Sequence, residues 1–116
     1  MLSQKHRLSK SAEVKKTTAR GRGFFNPYFV LKTLPGTEPA KVTVVVSVKV
    51  SKKAVDRNRL KRVIRETIRP DILKFKPGSY AILVKPSAMK ITSAELREQI
   101  RKGLIASKTL KQTQKI

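Results

Sequence analysis

The stretch from Ser51 to Arg69, SKKAVDRNRLKRVIRETIR, constrains the fold more tightly than any other part of the chain. From Asp56 onward Leu60, Val63, Ile64 and Ile68 recur at helical spacing, giving one apolar stripe that other elements must cover. Arg57, Lys61 and Arg65 stand at i, i+4 and i+8 with Asn58 and Arg62 beside them, so their charges share the solvent-facing side. Between positions 56 and 69 six basic residues (Arg57, Arg59, Lys61, Arg62, Arg65, Arg69) meet two acidic ones. Asp56, near the helix start, and Glu66, within reach of Arg62 and Arg69, are the expected internal offsets. The bland reading is a solvated helix face, but ordinary surfaces interleave the two signs, and this one reads as a polyanion-binding face. Arginine dominates it, and the planar guanidinium fork suits bidentate phosphate contact and stacking on bases.

Composition narrows the possibilities further. A chain of 116 residues makes a single domain, 1–116, with one modest core. Twenty-eight basic against seven acidic residues give a net charge of +21, which repels itself in a compact monomer and favours nucleic acid as partner. Cysteine is absent and His6 is the one histidine, so disulfides, thiol nucleophiles, Cys-ligated zinc and Ser-His hydrolysis lack their parts. The seven carboxylates are scattered among basic neighbours. No catalytic or metal-ligating set is expected in the chain, and any chemistry is expected from a partner. MLSQKHRLSK has no apolar signal-peptide region, and the longest apolar run, Val42 to Val50, is too short to span a bilayer. The expectation is a cytoplasmic protein without a membrane partner.

Taken in order, residues 1–8 and 107–116 read as flexible basic ends, with Lys5, His6, Arg7 and Lys10 available to phosphates. Ser9 or Ser11 is expected to cap a helix running to about Ala19. Arg20-Gly21-Arg22-Gly23 is a basic turn beside Phe24-Phe25-Asn26-Pro27-Tyr28-Phe29, where Pro27 divides a short edge segment from a strand over Tyr28–Leu34. These aromatics are read as core, with one or two open to base stacking. Pro35-Gly36-Thr37-Glu38-Pro39 is read as the turn of an antiparallel hairpin leading to the strand Lys41–Val50, whose alternation from Val46 to Val50 puts Ser47 and Lys49 on one face. The arginine-rich helix ends near Arg69-Pro70. A strand over Ser79–Val84 follows, and Thr92-Ser93-Ala94-Glu95 has capping-box spacing before a closing helix with Leu96, Ile100 and Leu104 on its apolar face. The order α-β-β-β-α-β-α makes an α+β fold, a small mixed sheet of about four strands packed with about three helices.

Lys53-Ala54-Val55, Arg57-Asn58-Arg59-Leu60-Lys61-Arg62 and Arg65-Glu66 resemble the RNR signature of the bacterial ribonuclease P protein subunit. Arg7-Leu8, Gly21, Val30-Leu31 and Lys76-Pro77-Gly78 fall in that family's order and spacing, so the resemblance runs through most of the chain. Arg-Asn-Arg alone is weak; the long pattern on a basic helix after a Val-rich strand is specific.

The resemblance implies an accessory subunit that assists endonucleolytic removal of the 5′ leader from precursor tRNA. The partners would be the ribonuclease P RNA, which holds the active site and its Mg2+, and precursor tRNA. It also implies a left-handed βαβ crossover, where the default is right-handed. By position it assigns RNA-subunit binding to Lys52, Lys53, Arg57, Asn58, Arg59, Lys61, Arg62 and Arg65. A cleft between the first helix and the open sheet face would hold the leader, through Val14, Lys16, Thr18, Phe24, Phe25, Lys32 and Lys49. Family positions that commonly carry aromatics there are Val14, Thr18 and Lys32 in this chain, which leaves two modes open: electrostatic holding by Lys16, Lys32 and Lys49, or stacking on Phe24, Phe25 and Tyr28. The competing function is a structural, ribosomal-type RNA binder without a role in cleavage. A DNA-binding module fits less well, because the arginine helix follows a strand rather than the first helix of a helix-turn-helix.

Overall fold

The computed structural model describes residues 4–8 and 10–110. Among them the order is α1 (Ser11–Arg20), β1 (Arg22–Phe25), β2 (Phe29–Pro35), β3 (Lys41–Val45), α2 (Ala54–Ile68), β4 (Gly78–Val84) and α3 (Ser93–Ala106), with 3-10 turns at Gln4–His6, Arg69–Lys74 and Pro86–Lys90. The α+β order expected from the sequence is the order observed. No helix among the described residues is long and apolar enough to cross a membrane.

The sheet runs β1-β2-β4-β3, with β3 parallel to β4 and the other pairs antiparallel. This corrects the expected hairpin: β2 and β3 are not neighbours, because β4 lies between them. The physical reason is burial. Tyr80, Ile82 and Val84 of β4 are buried on one face and Ala81 on the other, and a strand covered on both sides belongs in the middle of a sheet. The loop between β2 and β3 must then cross the start of β4, at Gly78. That residue has φ +145°, and a Cβ on it would collide with the Leu34 carbonyl oxygen, so glycine is required.

One sheet face carries Phe24, Phe29, Leu31, Tyr80, Ile82, Val42 and Val44, matched across strands by register. Against it pack Leu60, Val63, Ile64 and Ile68 of α2 and Leu96, Ile100 and Leu104 of α3, all buried, as the helical spacing requires. Thr92 caps α3, its hydroxyl accepting from the Glu95 amide at 3.1 Å. Gly103 brings α3 close to the sheet, since a Cβ there would lie 2.6 Å from Cζ of Phe29. The opposite face is covered by α1, whose Thr17 is buried and hydrogen-bonds back to the Glu13 carbonyl.

Three further expectations are corrected. The Val-rich strand stops at Val45 because its partner β4 stops at Val84, leaving no ladder beyond the pair Val45–Leu83. Val46 and Val50 still bury, but Ser47 to Val50 form a turn closed by the Val50 amide donating to the Ser47 carbonyl at 3.0 Å. At α1, Ser11 is the first helical residue and Lys10 occupies the cap position without a side-chain bond; Ser9 lies outside the described residues. The ends are tied down where they are described. His6 is buried with Nδ1 donating to the Ala40 carbonyl at 2.9 Å, Leu8 donates to Val42, and Lys76 donates to the Thr109 carbonyl at 2.9 Å. Residues 1–3 and 111–116 lie outside the described residues.

Tyr80 anchors this architecture from the centre of the sheet. Its ring meets Phe75 edge-on at 5.2 Å, and its hydroxyl donates to the Lys76 carbonyl. Burial, with a smaller contribution from the Glu38 carboxylate, pushes the phenol from 10.0 up to about 12. The folded state therefore holds this proton more tightly than the unfolded chain, so stability is fully present below pH 10 and is lost as pH rises through about 12. Denaturation midpoints followed across that window should fall in the wild type and fall less in Tyr80→Phe; equal slopes would show that Tyr80 is not the group responsible.

Candidate nucleic-acid interface

The basic face of α2 is mounted by its apolar stripe and oriented at its start by Ser51. The Ser51 hydroxyl accepts from the Lys53 amide at 3.2 Å and donates to Asp56 Oδ2 at 3.0 Å, while the Ser51 carbonyl accepts from Arg57 at 2.8 Å. Lys53, at the cap position of α2, makes no side-chain cap bond, so these contacts order the entry into the helix in place of one. Farther along, Arg59 donates to the Ser93 hydroxyl of α3 at 3.1 Å. The arginines therefore differ in freedom: Arg57 and Arg59 are held, whereas Asn58, Arg62 and Arg65 line a shallow outward groove with Glu66.

Glu66 does not offset Arg62 or Arg69, as its spacing had suggested. It faces Arg97 of α3 at 3.8 Å, and Asp56 is engaged by Ser51. A local contact engages Asp56 and a tertiary one Glu66, and Lys61, Arg62 and Arg65 have no acidic partner among the described residues. Their charge is left for an outside anion. The turn and loop that lead into α2 add Lys49, Lys52 and Lys53, all exposed.

A second surface lies on the sheet face that α1 only partly covers. Ala81, fully buried, sits beneath α1, but the next row across the strands, Phe25, Val30, Leu83 and Val45, is less covered. Phe25 is 69% exposed, and Lys32 Nζ stands 5.8 Å from its ring centroid, within cation–π reach. This row closes the end of the sheet from which the Val46–Lys53 segment departs toward α2.

The expected leader-binding residues do not all gather here. Glu13, Lys16 and Thr17 line a groove of about 390 Å³ with Lys41 and Ser79, at the other end of the strands. At 3.6 residues per turn Val14 and Thr18 lie on the opposite flank of α1, toward the open row with Lys32 and Phe25. Lys16 is separated from them by the body of the helix. Phe24 points to the core face, packs against the core and approaches Gly103, so it cannot share a cleft with Phe25. Tyr28 is half-buried against the same core. Lys49 lies exposed in the turn before α2 instead of on a strand.

Sequence reasoning missed Val30, Leu83 and Val45 as floor, and Ser51 as organiser. The alternation Phe29-Val30-Leu31 held the first signal, and the Ser51-to-Asp56 spacing ahead of the helix held the last. Among the described residues no three His, Asp or Glu side chains converge on a point that could hold a metal ion.

Comparison with known proteins places this geometry. A family model described as Ribonuclease P matches residues 2–108. The ribonuclease P protein component of Dehalococcoides mccartyi (strain CBDB1) is 34% identical over 97% of this chain and 96% of its own length. That of Xylella fastidiosa (strain 9a5c) is 38% identical over 66% of this chain, and the match spans 57% of that relative. Among solved structures, the RNase P protein from Staphylococcus aureus superposes with a TM-score of 0.82 at 23% identity over 99% of both chains. The RNase P protein from Thermotoga maritima gives 0.70 at 24% identity, over 83% of this chain and 92% of its own. At such identities the structures speak for the fold alone; the family model and the Dehalococcoides relative carry the assignment, and by them this chain belongs to the ribonuclease P protein family.

Proposed function

We propose that this protein is the protein subunit of a cytoplasmic ribonuclease P, binding the catalytic RNA and the 5′ leader of precursor tRNA to assist endonucleolytic maturation of the tRNA 5′ end. The observation that carries the reading is the rigid arginine face of α2, stripped of internal counterions. Lys61, Arg62 and Arg65, with Lys52 and Lys53 of the preceding loop, neutralise phosphates where RNA strands crowd together, and the Asn58 amide hydrogen-bonds beside them. Arg57 and Arg59, tied to Ser51 and Ser93, fix the register of the contact. Among the described residues the carboxylates are dispersed, several of them engaged with basic residues or hydroxyls. The proposal accordingly assigns Mg2+ and the hydrolytic step to the RNA.

The leader lies on the open row of the sheet. Phe25 offers a ring face on which a base can stack, Val14, Thr18 and Val30 bound the strip, and Lys32 and Lys49 hold phosphates. This combines the two modes the sequence left open, with Phe25 retained and Phe24 removed. A purely structural RNA binder has no observation in its favour once the chain belongs to this family.

Multiple-turnover cleavage of a leader-bearing precursor tRNA by a bacterial ribonuclease P RNA at low Mg2+ should depend on this protein. Arg57→Ala with Arg62→Ala should weaken binding to that RNA and lower the salt slope, d log K/d log [salt], by about 2. Cleavage that is unchanged by the protein would sink the reading. Phe25→Ala should weaken leader binding and leave stability within about 0.5 kcal/mol of wild type. Phe24→Ala should do the reverse, lowering the denaturation midpoint with leader affinity unchanged at temperatures where it remains folded. Equal effects of the two substitutions on leader binding would contradict the assignment of Phe25 to the open row.

A further inference from the structure

A third basic surface stands apart from both of those described. At the β1 edge of the sheet, on the side of the α3 C-terminus, a groove of about 470 Å³ is ringed by Arg20, Arg22, Lys76 and Lys108, with Phe24 and Pro35 as its apolar lining on the core-face side. No acidic residue lines it, and none of the four cations has an acidic partner among the described residues. α3, packed over Phe24 and Phe29, lies between this groove and the face of α2. The groove also lies at the opposite end of the strands from the Phe25–Val45 row.

The backbone at Lys108 adds an independent observation. α3 ends with the Thr109 amide donating to the Leu104 carbonyl and the Lys108 amide to the Ile105 carbonyl, each at 3.1 Å. Lys108 itself sits at φ 59°, the left-handed position that such helix ends normally give to glycine. A side chain there is unfavourable for an L-residue. The chain accepts that strain and places a lysine on the lining of the groove. Strain held at a charged surface points to use of the charge.

We infer that this groove is a third RNA-binding site, taking a single-stranded RNA segment with its phosphates on Arg20, Arg22, Lys76 and Lys108 and an unstacked base against Phe24. The four uncompensated cations select a polyanion. The apolar lining selects a single strand, because a duplex keeps its bases stacked and offers only backbone. The inference rests on the reading of this protein as an RNA-binding subunit, and adds to it a contact that neither the arginine helix nor the open sheet row can make.

Lys108→Gly separates charge from fold, since glycine suits the left-handed position. The test measures binding of a 4-thiouridine-labelled oligouridylate to the full chain across a range of salt, then maps the photo-crosslinks. Lys108→Gly should raise the denaturation midpoint yet weaken binding and reduce the salt slope by about 0.7, and adding Arg22→Gln should bring the reduction to about 1.4. Crosslinks should fall on Phe24 or on the peptides carrying Lys76 and Lys108. Unchanged affinity and slope in both variants, or crosslinks confined to α2 and the Phe25 row, would overturn the site. Arg57→Ala with Arg62→Ala, assayed in parallel on ribonuclease P RNA, reports separately on the proposed function: its failure there would leave the groove result standing.

Discussion

Burial of Leu60, Val63, Ile64 and Ile68 beneath the arginines of α2 is the interaction on which the rest of the structure depends. A like-charge pair at i, i+4 on a helix costs a few tenths of a kcal/mol, whereas each fully buried aliphatic side chain stabilises by about 1.5–3 kcal/mol. The apolar seam therefore outweighs the repulsion and holds the cations together on one side. The sheet supplies the seam's partner surface, with Val42, Val44, Tyr80 and Ile82 in register across β3 and β4. Without that platform the basic segment would be an extended polycation with no fixed geometry.

The same sheet sorts aromatic and basic chemistry by face and by end. Consecutive residues Phe24 and Phe25 fall on opposite faces, as period-two alternation requires, so Phe24 packs partly against the core while Phe25 is exposed on the other face. Acidic groups are sorted too. Glu66 turns to Arg97, Asp56 to Ser51, Asp71 to Lys74 and Glu98 to Lys102, and none of these contacts dilutes Lys61, Arg62 or Arg65. The exposed ion pairs among them contribute little stability. Their effect is to leave Lys61, Arg62 and Arg65 without an acidic partner among the described residues.

Much of this was legible in the residues because local rules and tertiary packing agree. The helical spacing of Leu60, Val63, Ile64 and Ile68, the Thr92 cap, the break at Pro27 and the proline after Arg69 each act within a few residues, and each element appears where it was expected. What could not be read depends on partners distant in sequence. That β4 inserts between β2 and β3 follows from burial on both its faces, and that β3 ends at Val45 follows from where β4 ends. Glu66 has equally good helical geometry toward Arg62, and the proximity of Arg97 decided otherwise. The candidate site was legible as a set of basic residues, but its division into held and outward-facing arginines was not, because Ser51 and Ser93 make that division from outside the motif. His6 reads as part of a loose basic end, and its burial depends on a carbonyl 34 residues away.

The central claim is that the outward arginines of α2 are the groups that meet the catalytic RNA, and arginine-selective chemical modification tests it most directly. The protein would be treated with a dicarbonyl reagent, free and bound to ribonuclease P RNA, and the reactivity of each arginine read by mass spectrometry. Arg62 and Arg65 should react readily in the free protein and become protected on the RNA, while exposed Arg101 of α3 stays reactive. If Arg62 and Arg65 react as fast in the complex as in the free protein, the RNA is held elsewhere and the account is wrong.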